Sequence, residues 1–242
     1  MKYSIIIPTL NEEKLLPQIL NQLIKFRSES GTEMEIIVAD GGSSDGTMEI
    51  AVALADKVTG AVGDNIDCIA RGRNNGATRA SGKVLIFVNA DVLFKNINHF
   101  FNYLESYFLK SEYAAFTTKV RIFPDEENFG DKIFHSFYNY YFFLFNLLTY
   151  GMGRGECQVV KKEYFKRVGG YNENLIAGED FDLFKRLKKY GKIKFELNLT
   201  VFESPRRFRK YGYFKITSEW FKNAVAIIAK NRSISKVWEQ VR

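Results

Sequence analysis

The feature that most constrains the fold is a run of five apolar residues, Val84 to Val88, which is followed three positions later by one carboxylate, Asp91. Short continuous runs of β-branched and aromatic side chains are typical of strands that are buried on both faces. We therefore expect a central strand in a sheet that helices cover on both sides. Asp91 would lie just beyond the point where this strand reaches the surface.

The first half of the chain alternates short apolar runs with segments of helical periodicity. The predicted strands are residues 4–7, which Pro8 would close, and 36–39; the predicted helices are residues 13–25 and 48–55. Asn11 is expected to cap the first helix, with Glu12 and Glu13 in its first turn. Alternation of this kind predicts an α/β fold with a mostly parallel sheet.

Two carboxylates follow predicted strands of this sheet. Asp40 ends the second strand, and Asp91 follows the strand from Val84 to Val88. Because parallel sheets bind ligands at the carboxyl ends of their strands, we expect both aspartates at the binding edge. The turn after Asp40, GGSSDG, permits close approach of a ligand and can cap the next helix.

Phosphate binding would need an unusual source of positive charge in this chain. Neither GxxxxGK[ST] nor a GxGxxG after the first strand is present, so a P-loop and a dinucleotide-binding Rossmann site are set aside. The arginines 71, 73 and 79 are predicted to lie on one helix, from which at least one guanidinium could reach a phosphate. A Mg²⁺ or Mn²⁺ ion held by Asp91 would supply that charge. A lone aspartate after a strand more often caps a helix or a turn, so the assignment depends on its neighbours.

Positive charge is concentrated at the end of the chain. The net charge is +7, of which residues 205–242 contribute +8 and residues 1–204 contribute −1. A basic tail with interleaved aromatic residues suits an anionic membrane or a nucleic acid, or it is a solvated helix face.

The cysteines and the N-terminus favour a cytoplasmic protein. Cys68 and Cys157 are too far apart in the sequence to suggest a zinc site or a disulfide framework. The first apolar run is short and is broken by Pro8, unlike a signal peptide.

Residues 133–153 form an aromatic segment without a formally charged side chain. At 21 positions the segment is long enough to span a bilayer. It nevertheless contains histidine, asparagine, serine and several tyrosines, and it lies between segments that must share one side of a membrane. We expect a buried or interfacial helix in place of a span, and structural roles for His99 and His135.

Six segments together resemble, in order and spacing, the inverting family-2 glycosyltransferases of GT-A fold. They are SIIIPTLNEE, VADGGSSDGT, RGRNNGATRASG, VNAD, VGGYNE and GEDFDLFKRLKKYG, and the resemblance covers about residues 1–207. It implies a Rossmann-like nucleotide-sugar half (residues 1–95) and an acceptor half (96–207) that includes an aromatic helix at 133–149. Residues 208–242 would then form a basic amphipathic helical tail.

The resemblance also implies where a nucleotide sugar binds. Pro8, Thr9, Asn11 and Glu12 would line the nucleoside pocket, Asp40 would contact the base or ribose, and Arg73 would support the nucleotide. The family's DxD motif corresponds to Asn89, Ala90 and Asp91, so the first acid of the motif is missing. Asp91 alone would hold the metal ion.

In the acceptor half, the resemblance implies that Asp180 is the catalytic base, with Glu179 beside it. Without the other segments, these acids and Asp182 read simply as helix caps. Many relatives place a histidine after the last strand, whereas this chain has Glu203 followed by Ser-Pro-Arg-Arg. Arg206 and Arg207 would stabilise the departing diphosphate.

These features predict a hexosyltransferase that moves a sugar from a UDP- or GDP-sugar to a sugar or lipid-linked acceptor, with inversion and with Mg²⁺ or Mn²⁺. We expect peripheral contact with the anionic inner face of a membrane and no nucleic-acid partner. Two alternatives stay open, a nucleotidyltransferase of related fold and a catalytically silent nucleotide-sugar-binding module. The sequence leaves the donor base, the acceptor and the oligomeric state open.

Overall fold

One sheet organises the part of the chain that the structure, a computed structural model, describes: residues 1–60, 68–148 and 150–230, without the side chains of 228–230. Its strands are β1 (Tyr3–Thr9), β2 (Met34–Asp40), β3 (Lys57–Thr59), β4 (Val84–Val88), β5 (Val92–Phe94), β6 (Tyr113–Ile122), β7 (Cys157–Lys161) and β8 (Lys192–Glu203). Their order across the sheet is β3-β2-β1-β4-β7-β6-β8-β5. The predicted central strand is confirmed as β4, with the expected bounds.

The first four strands of this order are parallel. β1 pairs with β2 and with β4, and β2 pairs with β3. The carboxyl ends of β1, β2 and β4 therefore meet at one side of the sheet, which we call the binding edge. Pro8 does not close β1 as expected, because it stays in register with Ala39 of β2 and the strand continues to Thr9.

The second half of the sheet is mixed. β7 runs antiparallel to both β4 and β6, β6 is parallel to β8, and β5 is antiparallel to β8. Since β7 is antiparallel to β4, the beginning of β7 lies beside the end of β4, where Val88 pairs with Cys157. Residues that precede β7 are thereby brought to the binding edge.

Helices cover both faces of the sheet. They are α1 (Leu16–Ser30), α2 (Thr47–Leu54), α3 (Ile69–Arg79), α4 (Ile97–Ser106), α5 (Phe129–Leu147), α6 (Lys162–Arg167), α7 (Glu179–Leu187) and α8 (Arg206–Lys230). The alternation of side chains along β1 divides the core, because Ile5 and Ile7 pack with α1 while Ile6 packs on the face covered by α3. This arrangement confirms the predicted α/β class.

Several helix boundaries differ from the sequence-based expectation. Asn11 does not cap α1, which begins at Leu16 after Leu15, so Glu12 and Glu13 precede the helix and are not in its first turn. α5 begins at Phe129, four residues before the predicted 133, because Asn128 and Asp131 form a capping box. Thr149, the predicted end of this helix, lies outside the described residues.

The tail is helical as far as it is described. α8 starts at Arg206, two residues before the predicted boundary, and bends at Gly212, which has φ +73°. Residues 231–242 of the predicted tail lie outside the described residues. Within the described ranges, no helix combines the length and the apolar character that crossing a bilayer requires.

Helix α3 depends on a glycine for its close approach to β1. A Cβ atom on Gly76 would overlap Ile6 Cγ2, whereas on Gly72 of the same helix the nearest atom would be 3.7 Å away. We expect Gly76→Ala to lower the free energy of unfolding by about 1–3 kcal/mol through overpacking. Gly72→Ala is the matched control and should be neutral or stabilising by up to about 1 kcal/mol. Urea unfolding measures both, and equal effects of the two variants would contradict the packing argument.

Candidate active site

Asp40, at the end of β2, organises the turn that follows it. Its carboxylate is buried and accepts hydrogen bonds from the Thr9 hydroxyl at 3.1 Å and from the Gly42 and Ser43 amides at 3.0 and 2.9 Å. The Ser43 hydroxyl donates a fourth bond at 2.5 Å. A ribose hydroxyl or base N–H that bonds to Asp40 would therefore replace one of these four donors.

The turn after β1 is tied to the turn after β2. Asn11 has φ +58°, a conformation that asparagine tolerates better than most residues. Its side-chain oxygen accepts a hydrogen bond from the Ser44 amide at 2.8 Å. The neighbouring Glu12 amide donates to the Thr47 hydroxyl at 2.7 Å. The Pro8 ring faces α3, because a Cβ atom on Gly72 of that helix would lie 3.8 Å from the Pro8 Cβ atom.

Two carboxylates converge on one guanidinium at the binding edge. Arg206, the first residue of α8, donates to Asp91 Oδ2 at 3.2 Å and to Glu12. Burial raises the pKa of Asp91, and the charge of Arg206 opposes this shift. Burial likewise raises the pKa of Glu12, with Arg206 opposing and the charge of Asp91 adding to the increase. The two acids thus repel each other, and Arg206 neutralises them.

These residues suit a divalent cation. Carboxylate oxygens are the ligands that Mg²⁺ and Mn²⁺ prefer, and such ions usually take remaining ligands from phosphate and water. Glu12 Oε2 is buried and has no hydrogen-bond partner among the described residues. The described ranges contain no cluster of three or more metal-ligating side chains. Asp91 and Glu12 therefore fit a cation that shares its coordination with a bound diphosphate. In this structure the Arg206 guanidinium neutralises the same two carboxylates.

A buried arginine lies beneath the site. Arg73 of α3 is 1% exposed and donates to Glu179 Oε1 at 2.7 Å, Asn89 Oδ1 at 3.0 Å and the Gly155 carbonyl at 2.8 Å. The guanidinium also lies over the Tyr171 ring, 5.2 Å from its centroid. Arg73 is thus in a position to support a nucleotide only through its neighbours. Asn89, which stands at the position of the first acid of DxD, accepts a hydrogen bond from this arginine through its side-chain oxygen.

Asp180 lies in the first turn of α7 in the acceptor half. Its side chain is half-buried, and Oδ1 accepts a hydrogen bond from the Phe181 amide at 2.8 Å. Burial and the neighbouring charge of Glu179 raise the pKa of Asp180 to about 7, while Arg73 opposes the shift. A carboxyl group with this pKa exchanges a proton near neutral pH, as a general base requires.

A buried polar network that the sequence analysis did not identify lies between Asp91 and Asp180. Arg154 is 2% exposed and pairs with Glu156 at 2.7 Å, and it lies 3.6 Å from Glu203. Burial raises the pKa of Glu203 well above its usual range, with Glu156 adding to the increase. The charge of Glu156 also raises the pKa of both Asp91 and Asp180. Glu156 therefore couples the two halves of the site electrostatically.

His135 of α5 completes this network. It is 1% exposed, and its Nδ1 lies 3.6 Å from Glu203. Burial, together with the charge of Arg154, lowers its pKa to about 3, so the ring is neutral. Arg154 and Glu156 could have been noticed as charged residues in a glycine-rich segment before an apolar run. Their position at the site could not be predicted, because the sequence of β7 does not indicate that this strand runs antiparallel to β4.

The structure thus assembles the predicted residues in three groups along one edge. Asp40 lies with Thr9 and Asn11, Asp91 with Glu12 and Arg206, and Asp180 with Glu179, Arg73 and Asn89. Ala90 is buried between Asn89 and Asp91, and Arg207 is half-buried beside Arg206.

The order and direction of these strands, with helices on both faces of the sheet, define a GT-A fold. Residues 4–169 match the family described as glycosyl transferase family 2, and residues 122–234 match a second one, glycosyltransferase like family 2. The chain therefore belongs to glycosyltransferase family 2, as the six sequence segments predicted.

The alignments with curated relatives cover less than half of this chain. The poly(ribitol-phosphate) beta-N-acetylglucosaminyltransferase TarS of Staphylococcus aureus is 34% identical over 94 residues, which are 38% of this chain and 16% of TarS. The 4,4'-diaponeurosporenoate glycosyltransferase of Staphylococcus haemolyticus is 36% identical over 108 residues, which are 43% of this chain and 28% of the relative. The chain thus spans less than a third of the length of these relatives.

Solved structures agree on the fold. The mannosyltransferase PcManGT from Pyrobaculum calidifontis, in complex with GDP-Man and Mn²⁺, superposes with a TM-score of 0.72 at 17% identity and covers 94% of this chain and 64% of its own. TarS in complex with UDP-GlcNAc superposes with a TM-score of 0.62 at 17% identity, over 84% of this chain and 58% of its own.

The buried Arg73 and Glu179 pair is expected to be important for stability. Arg73→Met leaves the Glu179 carboxylate buried without its partner and should lower the free energy of unfolding by about 3–5 kcal/mol. Adding Glu179→Gln should recover part of this loss. Arg71→Met is the matched control on the same helix, because Arg71 is 40% exposed in its pair with Glu173 and should cost about 0–1 kcal/mol. Urea unfolding of the three variants would contradict the argument if Arg73→Met and Arg71→Met behaved alike.

Proposed function

We propose that this glycosyltransferase moves a sugar from a nucleoside diphosphate sugar to an acceptor hydroxyl or lipid phosphate, with inversion at the anomeric carbon and with Asp180 as general base. The observation that carries the proposal is the half-buried Asp180 carboxyl, whose pKa burial and Glu179 raise to about 7. Such a group can remove the acceptor proton as the acceptor oxygen attacks the sugar from the side opposite the diphosphate. One carboxylate suffices for this reaction.

The donor half is proposed to bind the nucleotide through the turns after β1 and β2. Asp40 offers a carboxylate to the ribose or base, in a pocket that Thr9, Asn11 and Glu12 line, while the Pro8 ring packs on the side of α3. Arg73 holds Asn89 and Glu179 in place from beneath. Relatives of this fold have been crystallised with UDP-GlcNAc and with GDP-Man, which supports a nucleoside diphosphate sugar as the donor class.

We further propose that Asp91, with Glu12, holds a Mg²⁺ or Mn²⁺ ion. When bound, the ion neutralises the negative charge that develops on the leaving diphosphate. The presence of Mn²⁺ in the PcManGT complex supports this choice. Arg206 and Arg207, at the start of α8, supply permanent positive charge that can stabilise the departing diphosphate and partly replace a metal site weakened by the missing first acid of DxD. The nucleoside diphosphate would leave from between Asp91 and these arginines.

The acceptor half is proposed to take a sugar or a lipid-linked acceptor. α5 and α8 join the acceptor half to an aromatic and basic surface, which suits a cytoplasmic enzyme that works peripherally at the inner face of a membrane. The names of the relatives indicate different substrates, a ribitol-phosphate polymer and 4,4'-diaponeurosporenoate. Family membership therefore leaves the acceptor of this chain open.

A thermal-shift panel tests the donor and metal assignments together. UDP-, GDP- and dTDP-sugars are each added with and without Mn²⁺, and the matching donor should raise the midpoint of unfolding only when the ion is also present. Asp91→Ala should abolish this stabilisation because a cation ligand is lost. Asp125→Ala, an exposed acid distant in sequence from all proposed site residues, is the control and should leave the stabilisation intact. An unchanged shift in Asp91→Ala would contradict the metal assignment.

The role of Asp180 is tested by activity and by pH. Asp180→Asn should lower the release of nucleoside diphosphate by about 10²–10⁴-fold while donor binding in the thermal-shift assay persists. Because a base must be deprotonated, kcat/KM of the unaltered enzyme should be high above pH about 7 and fall about tenfold per unit below it. Substantial transfer by Asp180→Asn would remove Asp180 from this role, and release of pyrophosphate in place of nucleoside diphosphate would indicate a nucleotidyltransferase. Absence of any turnover by the unaltered enzyme would favour the silent binding module.

A further inference from the structure

Helix α5 carries a continuous apolar stripe on its outer face. The large exposed apolar side chains recur at helical spacing, at positions 129, 133, 137, 140, 144 and 147. Phe129 is 77% exposed and Tyr140 is 65% exposed. An apolar stripe of this length is unusual on the surface of a monomeric soluble protein and indicates a surface that meets another apolar phase.

The inner face of the same helix is polar. Its buried residues are Asp131, His135, Asn139 and Asn146. Asn139 exchanges two hydrogen bonds with the Val120 backbone, at 3.0 and 2.9 Å, and Arg209 of α8 pairs with Asp131. A helix in a water-soluble protein normally has the opposite arrangement. The contacts with β6 and α8 account for the buried polar side chains of α5, and the exposed apolar stripe is the feature that indicates an apolar environment.

Helix α8 extends this surface. It lies against α5 through Tyr213 and Trp220, both of which pack on Phe134, and the Tyr138 hydroxyl lies 3.2 Å from the Thr217 hydroxyl. Its own outward apolar residues are Phe214, which is 88% exposed, Phe221 and Val225. Exposed lysines 210, 215 and 222 alternate with these residues along the helix.

The exposed charge on the two helices has a single sign. In the described part of α5 and α8, every exposed charged residue is basic: Lys132, Arg209, Lys210, Lys215 and Lys222. Asp131 is buried against Arg209, and Glu219 is only half-exposed. Two copies of this face would repel each other, whereas anionic head groups would neutralise the lysines while acyl chains received the aromatic side chains.

We propose that the outer faces of α5 and α8 form a docking surface for a bilayer with anionic head groups, in which both helices lie in the plane of the interface. The surface adjoins the candidate active site, because α8 begins with Arg206 beside Asp91. Docking would hold this edge of the enzyme near acceptors anchored in the same bilayer. That last consequence rests on the proposed transferase function, but the docking itself does not.

The test uses the whole chain and sedimentation with vesicles at low salt. Vesicles of phosphatidylcholine with added phosphatidylglycerol should bind the protein, and vesicles of phosphatidylcholine alone should bind it far less. Lys215→Gln with Lys222→Gln should weaken binding about fivefold per lysine. The matched control is Lys25→Gln with Lys83→Gln, because both lysines are exposed outside α5 and α8, on α1 and just before β4. It should bind within about twofold of the unaltered protein.

A second pair of variants tests the apolar stripe. Phe137→Glu with Leu144→Glu should weaken vesicle binding by more than tenfold, whereas Val52→Glu, an exposed apolar position on α2 that is 66% exposed, should not. Circular dichroism and the donor-dependent thermal shift check that each variant is folded and still binds the donor.

Three outcomes would overturn the docking proposal. They are no binding to anionic vesicles, binding that the Phe137 and Leu144 variant retains, or a dimer in sedimentation equilibrium that this variant abolishes. The dimer would show that a second copy of the chain covers the surface. Because donor-dependent stabilisation is measured without vesicles, any of these outcomes leaves the transferase proposal standing, and failure of the donor panel leaves the docking result standing.

Discussion

The candidate site depends on one buried guanidinium, that of Arg73. It lies on α3 and donates hydrogen bonds to three parts of the chain that are distant from one another in sequence. They are Asn89 after β4, Gly155 before β7 and Glu179 at the start of α7. Nη1 and Nη2 of Arg73 find their partners in both halves of the domain, whereas its buried Nε has no hydrogen-bond partner among the described residues. The ion pair between Arg73 and Glu179 thereby ties the end of β4 to the start of α7, where Asp180 lies.

Around this guanidinium the site accumulates negative charge. Asp91, Glu12, Glu156, Glu203 and Asp180 lie along one edge, and burial raises the pKa of all of these but Glu156, where the paired Arg154 outweighs burial. Such an arrangement costs stability unless positive charge neutralises it, which Arg154 and Arg206 do within the chain. Under the proposed function, the same carboxylates would attract a divalent cation, which would allow a diphosphate to approach.

The second half of the domain follows a different rule. α5 buries polar residues against β6 and the Arg154 network and leaves Phe129, Phe137 and Tyr140 exposed, while its other aromatic residues are half-buried. A helix can be inverted in this way when its inner face serves a polar site and its outer face meets an apolar environment. The aromatic content that stands out in the sequence therefore divides between the core and an outward surface, and α8 contributes to both.

The sequence by itself determined the α/β class, the central strand, the family and the residues that meet at the carboxyl ends of parallel strands, because periodicity, motifs and the succession of strands and helices along the chain are local properties. Asp40 and Asp91 could be predicted in this way, and Asp180 by resemblance. Only the tertiary structure decided that Asn11 ties two turns together instead of capping α1, and that Arg206 neutralises Asp91 and Glu12. It also decided that Arg154 and Glu156 reach the site, since they arrive there through the antiparallel pairing of β7 with β4. Pairing direction and ion pairs between residues more than a hundred positions apart depend on which surfaces are buried together, and no local pattern in the chain records them.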